Sequence, residues 1–191
     1  AEVHLDYAYY SPVSLVLKHF GWLEKALPDT KVSWVFSQGS NRSLEYLNSD
    51  GVDFASSASL SAVLARANGS PIKSIYVYSR AEWTALVVRK DSTLKTVADL
   101  KGGAVAVARG TSSHNLLVTA LEKAGLAFSD IRPAYLLPSD AGPAFANGSV
   151  DAWVIWDPYL ALAQAHDDTR VLTTSRQTHA VSDFFLARRD F

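Results

Sequence analysis

The chain has 191 residues, 48% hydrophobic and 19% charged, enough apolar side chain to bury a core in one large or two small domains and too much for a disordered chain. Its formal net charge is −1 and no run of Lys and Arg exceeds two, which excludes the basic footprint that nucleic acid or an anionic membrane requires. There is no cysteine, so disulfides, thiolate catalysis and Cys-based metal sites are excluded together, and none of the five histidines pair as HxxxH or HxH.

No metal and no cofactor are therefore expected. No stretch approaches the roughly 20 apolar residues of a membrane span. The first strand begins almost at residue 1 with no charged-then-apolar segment ahead of it, so a targeting peptide is expected to be absent from this chain.

Taken in order, strand-like runs fall at Val3–Ala8, Lys31–Ser37, Val52–Ser56 and Ile72–Tyr78. Helical spacing predicts helices over Val13–Ala26, Ser40–Leu47 and Ser59–Asn68, the last closed by Asn68-Gly69 and Pro71. A second series begins with Trp83–Arg89 and passes a short capped turn, Thr96 to Leu100. It continues through strand Ala104–Ala108, a helix over 112–124, strand Arg132–Leu137, a short helix near 140–146, strand Ala152–Trp156 and helix Pro158–Ala165. Arg170–Thr174 and, after a polar stretch, Asp183–Arg188 read as further strands.

The alternation predicts an α/β fold with mixed, mostly parallel sheets in two lobes: residues 1–79, residues 80–177, and a return of 178–191 to the first lobe. The chain crosses twice, near Ser79–Glu82 and near Ser175–Ser182. Ligands of open α/β sheets sit at the carboxyl ends of strands, so a ligand cleft between the lobes is expected.

The small polar residues cluster where strands hand over to helices. Ser37-Gln38-Gly39-Ser40-Asn41 follows the second strand, Ser56-Ser57-Ala58-Ser59 the third, and Gly110-Thr111-Ser112-Ser113-His114 a strand of the second lobe. The free N–H groups and dipole of a helix start attract an anion, and hydroxyls add donors without adding charge. Ser, Thr and Asn are equally the ordinary capping residues, and at any one turn capping alone accounts for them. At 110–114 a cap needs one hydroxyl and the turn offers three plus an imidazole; that excess favours a ligand.

Catalysis fares poorly on the same residues. Ser113 and His114 are neighbours with no G-x-S-x-G elbow around either serine, and His4, His19, His166 and His179 fall at strand, helix-face or loop positions. Neither G-x-G-x-x-G nor G-x-x-x-x-G-K occurs. The chain is expected to bind its ligand and not to be an enzyme.

Aromatic residues gather near the same turns. Tyr7, Tyr9 and Tyr10 crowd the end of the first strand, Trp83 stands at the first crossing, and Trp156 ends a strand just before Asp157-Pro158. A single aromatic at a strand end is usually core; several beside polar turns suggest apolar walls around a small ligand with an anionic head.

At this point the chain resembles a known family. TVADLKGGAVAVARGTSSHNLL, ALEKAGL and VDAWVIWDPYLALA, with SQGSNRSLEYLNSDGVDFASSAS and SPIKSIYVYSRAEWTALVVRKDS earlier, are similar to the solute-binding proteins of ABC importers for aliphatic sulfonates, taurine and nitrate. The match spans nearly the whole chain. It implies a two-lobed periplasmic-binding-protein fold of type II, an extracytoplasmic location, a role in sulfur metabolism and an ABC permease as partner, with the chain itself a monomer and no nucleic acid involved.

Carried over residue by residue, the family's ligand loops fall on Tyr9 and Tyr10, Gln38, Gly39 and Ser40, Ser56, Ser57 and Ala58, Thr111, Ser112, Ser113 and His114, and Trp156 with Asp157, and Trp83 at the crossing is expected to join them as an apolar wall. Trp156 is expected to pack on the organic part of the ligand, and Asp157 either caps its helix or meets a polar group. Arg42, Arg80 and Arg109 lie near the turns, where solvation is favoured over contact. The resemblance implies helices beyond the returning strand, whereas this chain ends at RRDF, so the first lobe is expected to be thinly covered.

Taurine's ammonium calls for a buried carboxylate, and around the crossing only Glu82 and Asp157 are candidates, with Thr84 nearby. An alkanesulfonate without an amine is therefore the expected ligand, taurine or nitrate being the other options. Two alternatives share the plan: the effector-binding domain of a transcriptional regulator, which needs a DNA-binding segment ahead of residue 1, and an enzyme of related fold. The cysteine-rich loop of the pyrimidine-making relatives is missing here.

Overall fold

The computed structural model describes residues 1–166, 169–177, 181–189 and 191, and His179 lies outside the described residues. The chain divides into two compact units, Ala1–Arg80 with Ser182–Phe191, and Ala81–Val181. No helix among the described residues is long and apolar enough to cross a membrane.

In the first unit the order is β1 (Glu2–Tyr7), α1 (Pro12–Phe20), α2 (Trp22–Ala26), β2 (Lys31–Phe36), α3 (Ser40–Asn48), β3 (Phe54–Ala58), α4 (Ser59–Ala67) and β4 (Ile72–Ser79). The second unit holds β5 (Thr84–Arg89), β6 (Ala104–Val107), α5 (Ser112–Lys123), β7 (Arg132–Tyr135), α6 (Pro138–Ala146), β8 (Ala152–Trp156), α7 (Tyr159–His166) and β9 (Thr169–Thr174). The chain then supplies β10 (Asp183–Arg188) to the first unit.

Each unit has one five-stranded mixed sheet. The orders are β2-β1-β3-β10-β4 and β7-β6-β8-β5-β9. In both, four strands run in one direction, and the fourth place in the order is taken by the antiparallel strand, β10 between β3 and β4, β5 between β8 and β9. The strand that follows each crossing, β5 or β10, is thus seated inside a sheet and not at its edge, so neither sheet keeps the order of the chain. The reason is non-local: Asp183–Ala187 pair with Phe54–Ala58 across more than a hundred residues of chain.

Two predicted elements also shift. The helix expected over 13–26 breaks at Gly21, whose φ of +59° lets its N–H turn back to the carbonyls of Leu17 and Lys18 and end α1 there. The third strand starts at Phe54 and not at Val52, because the Val52 N–H is held by the Tyr46 carbonyl in the turn after α3 and pairing with β10 runs from Phe54 to Ala58.

The cores differ. In the second unit, β5 and β8 are continuous apolar runs covered on both faces, and α5 lays Leu116, Leu117, Ala120 and Leu121 against them. Each such leucine contributes about 1.5–3 kcal/mol of burial. The first unit packs a smaller set, Leu44, Leu47, Val52, Ala55, Ile72 and Leu186, and leaves Val63, Leu64, Ile75 and Tyr76 exposed.

Candidate functional site

In the first unit the carboxyl ends of β1 to β4 and the start of β10 share one edge of the sheet, with Asp183 opposite both Ala58 and Ser79. Tyr9, Tyr10, Gln38, Gly39, Ser40, Ser57 and Ala58 are all at or just past that edge. Tyr9 is half exposed, its ring 4.8 Å from that of Phe36, whereas Tyr10 is buried and donates to the Ser56 carbonyl at 3.0 Å. Ser40 Oγ accepts the Ala58 N–H at 2.9 Å, and Ser57 Oγ donates to the Ala58 carbonyl at 3.1 Å.

A residue missed in the sequence organises this edge. Asp6, 2% exposed, accepts from Ser37 Oγ at 2.6 Å, from Ser43 Oγ at 2.5 Å, and from the Ser56 N–H and Oγ at 2.8 and 3.1 Å. It thereby ties β1 to the turn after β2, to α3 and to β3. Burial raises its pKa, against the pull of the three serines. A second buried acid, Asp183, is pushed up to about 7 by desolvation, partly offset by a bond to Ser79. Beside it, burial and the Asp183 charge raise the Tyr78 hydroxyl. The oxygens Gln38 Oε1, Asn41 Oδ1 and Asp183 Oδ2 are buried here without a hydrogen-bond partner among the described residues.

The second unit presents the matching edge: the carboxyl ends of β6, β7, β8 and β9 and the start of β5, where Thr84 faces Trp156. Gly110, with φ of +75°, turns the chain from β6 towards α5 and donates its N–H to His114 Nδ1 at 3.2 Å. His114 stands edge-on to Phe128 and Tyr135, and burial, then the Arg109 guanidinium, lowers its pKa. Its imidazole is neutral at pH 7, with the proton on Nε2. Thr111 Oγ1 donates to the Ala108 carbonyl at 2.7 Å, so the 2.8 Å contact between Thr111 and Ser113 is served by the Ser113 proton. Ser112 Oγ makes no hydrogen bond among the described residues; of the three hydroxyls of this turn it is the one not spent on the protein itself.

The tryptophans meet at this edge too. Trp156 is 4% exposed with Tyr159 set edge-on to it, and the carbonyl of part-exposed Trp83 accepts the Asp157 N–H at 3.1 Å. Asp157 Oδ1 accepts the Ala161 N–H at 3.1 Å and so caps α7, one of the two roles expected for it. Glu82 accepts from Ser175, which is fully buried, at 3.0 Å.

These hydroxyls do not cap their helices. The N-caps of α1, α3, α4 and α5 are Ser11, Gly39, Ala58 and Thr111, and none makes a side-chain capping bond. The first-turn amides of α3, from Ser40 to Arg42, and of α5, from Ser112 to His114, therefore take no acceptor from their caps. Capping alone does not account for the polar turns.

The structure thus gathers the predicted residues of each unit at one sheet edge. Sequence reading missed Asp6, Ser43, Asp183 and Ser175. Asp6 alternates with Val3 and Leu5 and reads as a solvent-facing strand residue; the signal for it was the surplus of serines after the second strand and around the third, which need an acceptor. Among the described residues no group of three or more His, Asp or Glu side chains could hold a metal ion.

Comparison with known proteins follows the same lines. Residues 18–187 match the NMT1/THI5-like family. Over 170 residues, 88% of this chain, the sequence is 42% identical to a protein assigned as an aliphatic sulfonates-binding protein in Escherichia coli strain K12, covering 53% of that protein. The fold superposes on the periplasmic aliphatic sulphonate-binding protein SsuA of Escherichia coli with a TM-score of 0.83 at 39% identity, over 99% of this chain and 65% of that one. On the alkanesulfonate-binding protein SsuA of Xanthomonas axonopodis pv. citri bound to MOPS the TM-score is 0.90 at 33% identity, over 100% and 66%. The chain spans about half the length of the curated relatives it matches. Its mixed sheets have the fold of these periplasmic binding proteins, and the chain belongs to the NMT1/THI5-like family.

Proposed function

We propose that this chain is the extracytoplasmic, solute-binding part of an ABC importer and that it holds a small organosulfonate anion at these sheet edges without transforming it. The observation that carries this is the pair of helix starts, α3 and α5, whose amides have no side-chain cap although each lies in a turn rich in hydroxyls. A sulfonate spreads one charge over three oxygens and suits several neutral donors, each charge-assisted bond being worth about 1.5–3 kcal/mol. The α5 amides with Ser112 supply such donors in the second unit. In the first, the α3 amides do so together with Gln38 and Asn41, whose terminal amides turned by half a rotation present NH2 where an oxygen has no partner. Tyr9, Trp83 and Trp156 supply apolar surface for the organic part. The names of relatives at 33–42% identity support the ligand class.

An alkanesulfonate lacking an amine is the ligand proposed, because Asp157 caps α7 and Glu82 is bonded to Ser175. Asp183 is the acid at these edges with an unclaimed oxygen, and taurine is the control for it. The test is a thermal-shift screen against alkanesulfonates, taurine, nitrate, sulfate and amino acids, since a ligand at a hundred times its Kd stabilises by about 2.7 kcal/mol. Alkanesulfonates are expected to raise the melting temperature most. Taurine ahead of ethanesulfonate would remove the amine-free part of the proposal, and turnover of any of them would replace binding by catalysis.

A further inference from the structure

Three hydroxyls and one backbone amide converge on Asp6, and the protons among them can be counted. Ser43 Oγ lies 2.5 Å from Asp6 Oδ2 and also 2.5 Å from the Ser56 carbonyl oxygen. A hydroxyl has one proton to give, and a carbonyl oxygen has none. Two oxygens held this close to Ser43 Oγ therefore need a second proton, and Asp6 is the member of the trio that can supply it. The other contacts are consistent: Ser56 N–H and Oγ address Oδ1, while Ser37 Oγ approaches Oδ2.

We infer that Asp6 is carried as a neutral carboxylic acid, donating from Oδ2 to Ser43 Oγ while Ser43 donates to the Ser56 carbonyl, and that it is the positioning residue for the turn at Ser37–Ser40 and the start of α3. Among the described residues no cationic group bonds to it. The titratable groups around it are Tyr10, just past β1, and Tyr78 on β4, behind which lies Asp183 on β10; Arg42 on α3 is paired with Glu45 at the surface. From α1 and its N-cap come the hydroxyls of Ser11, which accepts from Ser56 Oγ, and of Ser14, which donates to the Ser11 carbonyl. A buried charge with no partner is costly, and burial drives the acid towards its protonated form. The consequence for function, which rests on the proposed anion site, is that no negative charge lies beneath the α3 amides to oppose a bound anion.

The test is carbon-13 NMR of the chain labelled at aspartate Cγ, with Asp6 assigned through its backbone. At neutral pH the Asp6 signal is expected at the position of a protonated acid, where an aspartate in its ordinary range is ionised. A carboxylate signal at neutral pH overturns the inference. Asp6→Asn keeps the acceptor for the Ser56 N–H and Oγ and a donor to Ser43 Oγ, while its second N–H meets Ser37 Oγ, which can accept, so it should fold and keep its melting temperature within a few degrees. If Asp6 is instead an ionised acceptor, the same variant loses charge-assisted bonds from three serines and is destabilised or fails to fold, which also overturns the inference. Should neither protein bind any sulfonate, the anion site fails while the NMR signal still decides the state of Asp6.

Discussion

The two units build the same sheet order and hold their polar edges by different means. The first ties its turns to a buried acid, Asp6, and keeps a second one, Asp183, at the same edge. In the second the turn hydroxyls of Thr111 and Ser113 are bonded to each other, and the acid Asp157 caps α7 at the rim. Burial divides them as well: β5 and β8 are covered throughout, while β4 shows Ile75 and Tyr76 to solvent. Topology therefore sets where an edge of helix starts will lie, and the side chains decide whether it is wired through an acid or through hydroxyls.

The contrast in burial can be broken most sharply. Leu117→Ala, in the closed core of the second unit, is expected to cost about 2–5 kcal/mol in denaturant unfolding, whereas Leu64→Ala on exposed α4 stays within about 0.5 kcal/mol. Equal losses would mean that the exposed face of the first unit is buried in solution.

The acids give a pH signature confined to the first unit. Asp183 titrates at about 7 when folded and in the ordinary aspartate range when unfolded. Between these the native state keeps a proton that the unfolded chain has released, so stability falls as pH rises from about 4 to about 7 and is flat above. Asp183→Asn should flatten that slope, by up to about 1.4 kcal/mol per pH unit; an unchanged slope would clear Asp183 of the effect.

Hydroxyl deletions refine the comparison. Ser43→Ala leaves the Ser56 carbonyl and Asp6 short of a partner and should cost about 1–3 kcal/mol. Ser113→Ala, which removes one hydroxyl bond, should cost about 1 kcal/mol. Ser112→Ala is expected to leave the ligand-free melting temperature nearly unchanged and to weaken alkanesulfonate binding about tenfold or more, as befits a charge-assisted bond. Loss of stability without loss of affinity would return Ser112 to a structural role.

The turns of the candidate site were legible beforehand, because each is local. A strand followed by small polar residues and then helical spacing marks a helix start whatever the rest of the chain does, and this located Gln38–Ser40, Ser57-Ala58, Thr111–His114 and Trp156-Asp157. Which of the hydroxyls remain unspent was not legible. Thr111 and Ser113 satisfy each other through a turn geometry the sequence does not spell out, and the serines after β2 and β3 answer to an aspartate up to fifty residues away.

The sequence by itself determined the α/β class, the alternation of elements, the polar turns and the family, since each is written in short-range periodicity, turn residues and contiguous motifs. Only the tertiary structure decided that an antiparallel strand near each crossing enters the sheet, that Gly21 divides the first helix, and that Asp6 and Asp183 are buried. Those outcomes depend on pairing and desolvation by residues far away along the chain, and an aspartate in an alternating strand reads the same whether it faces water or three serines.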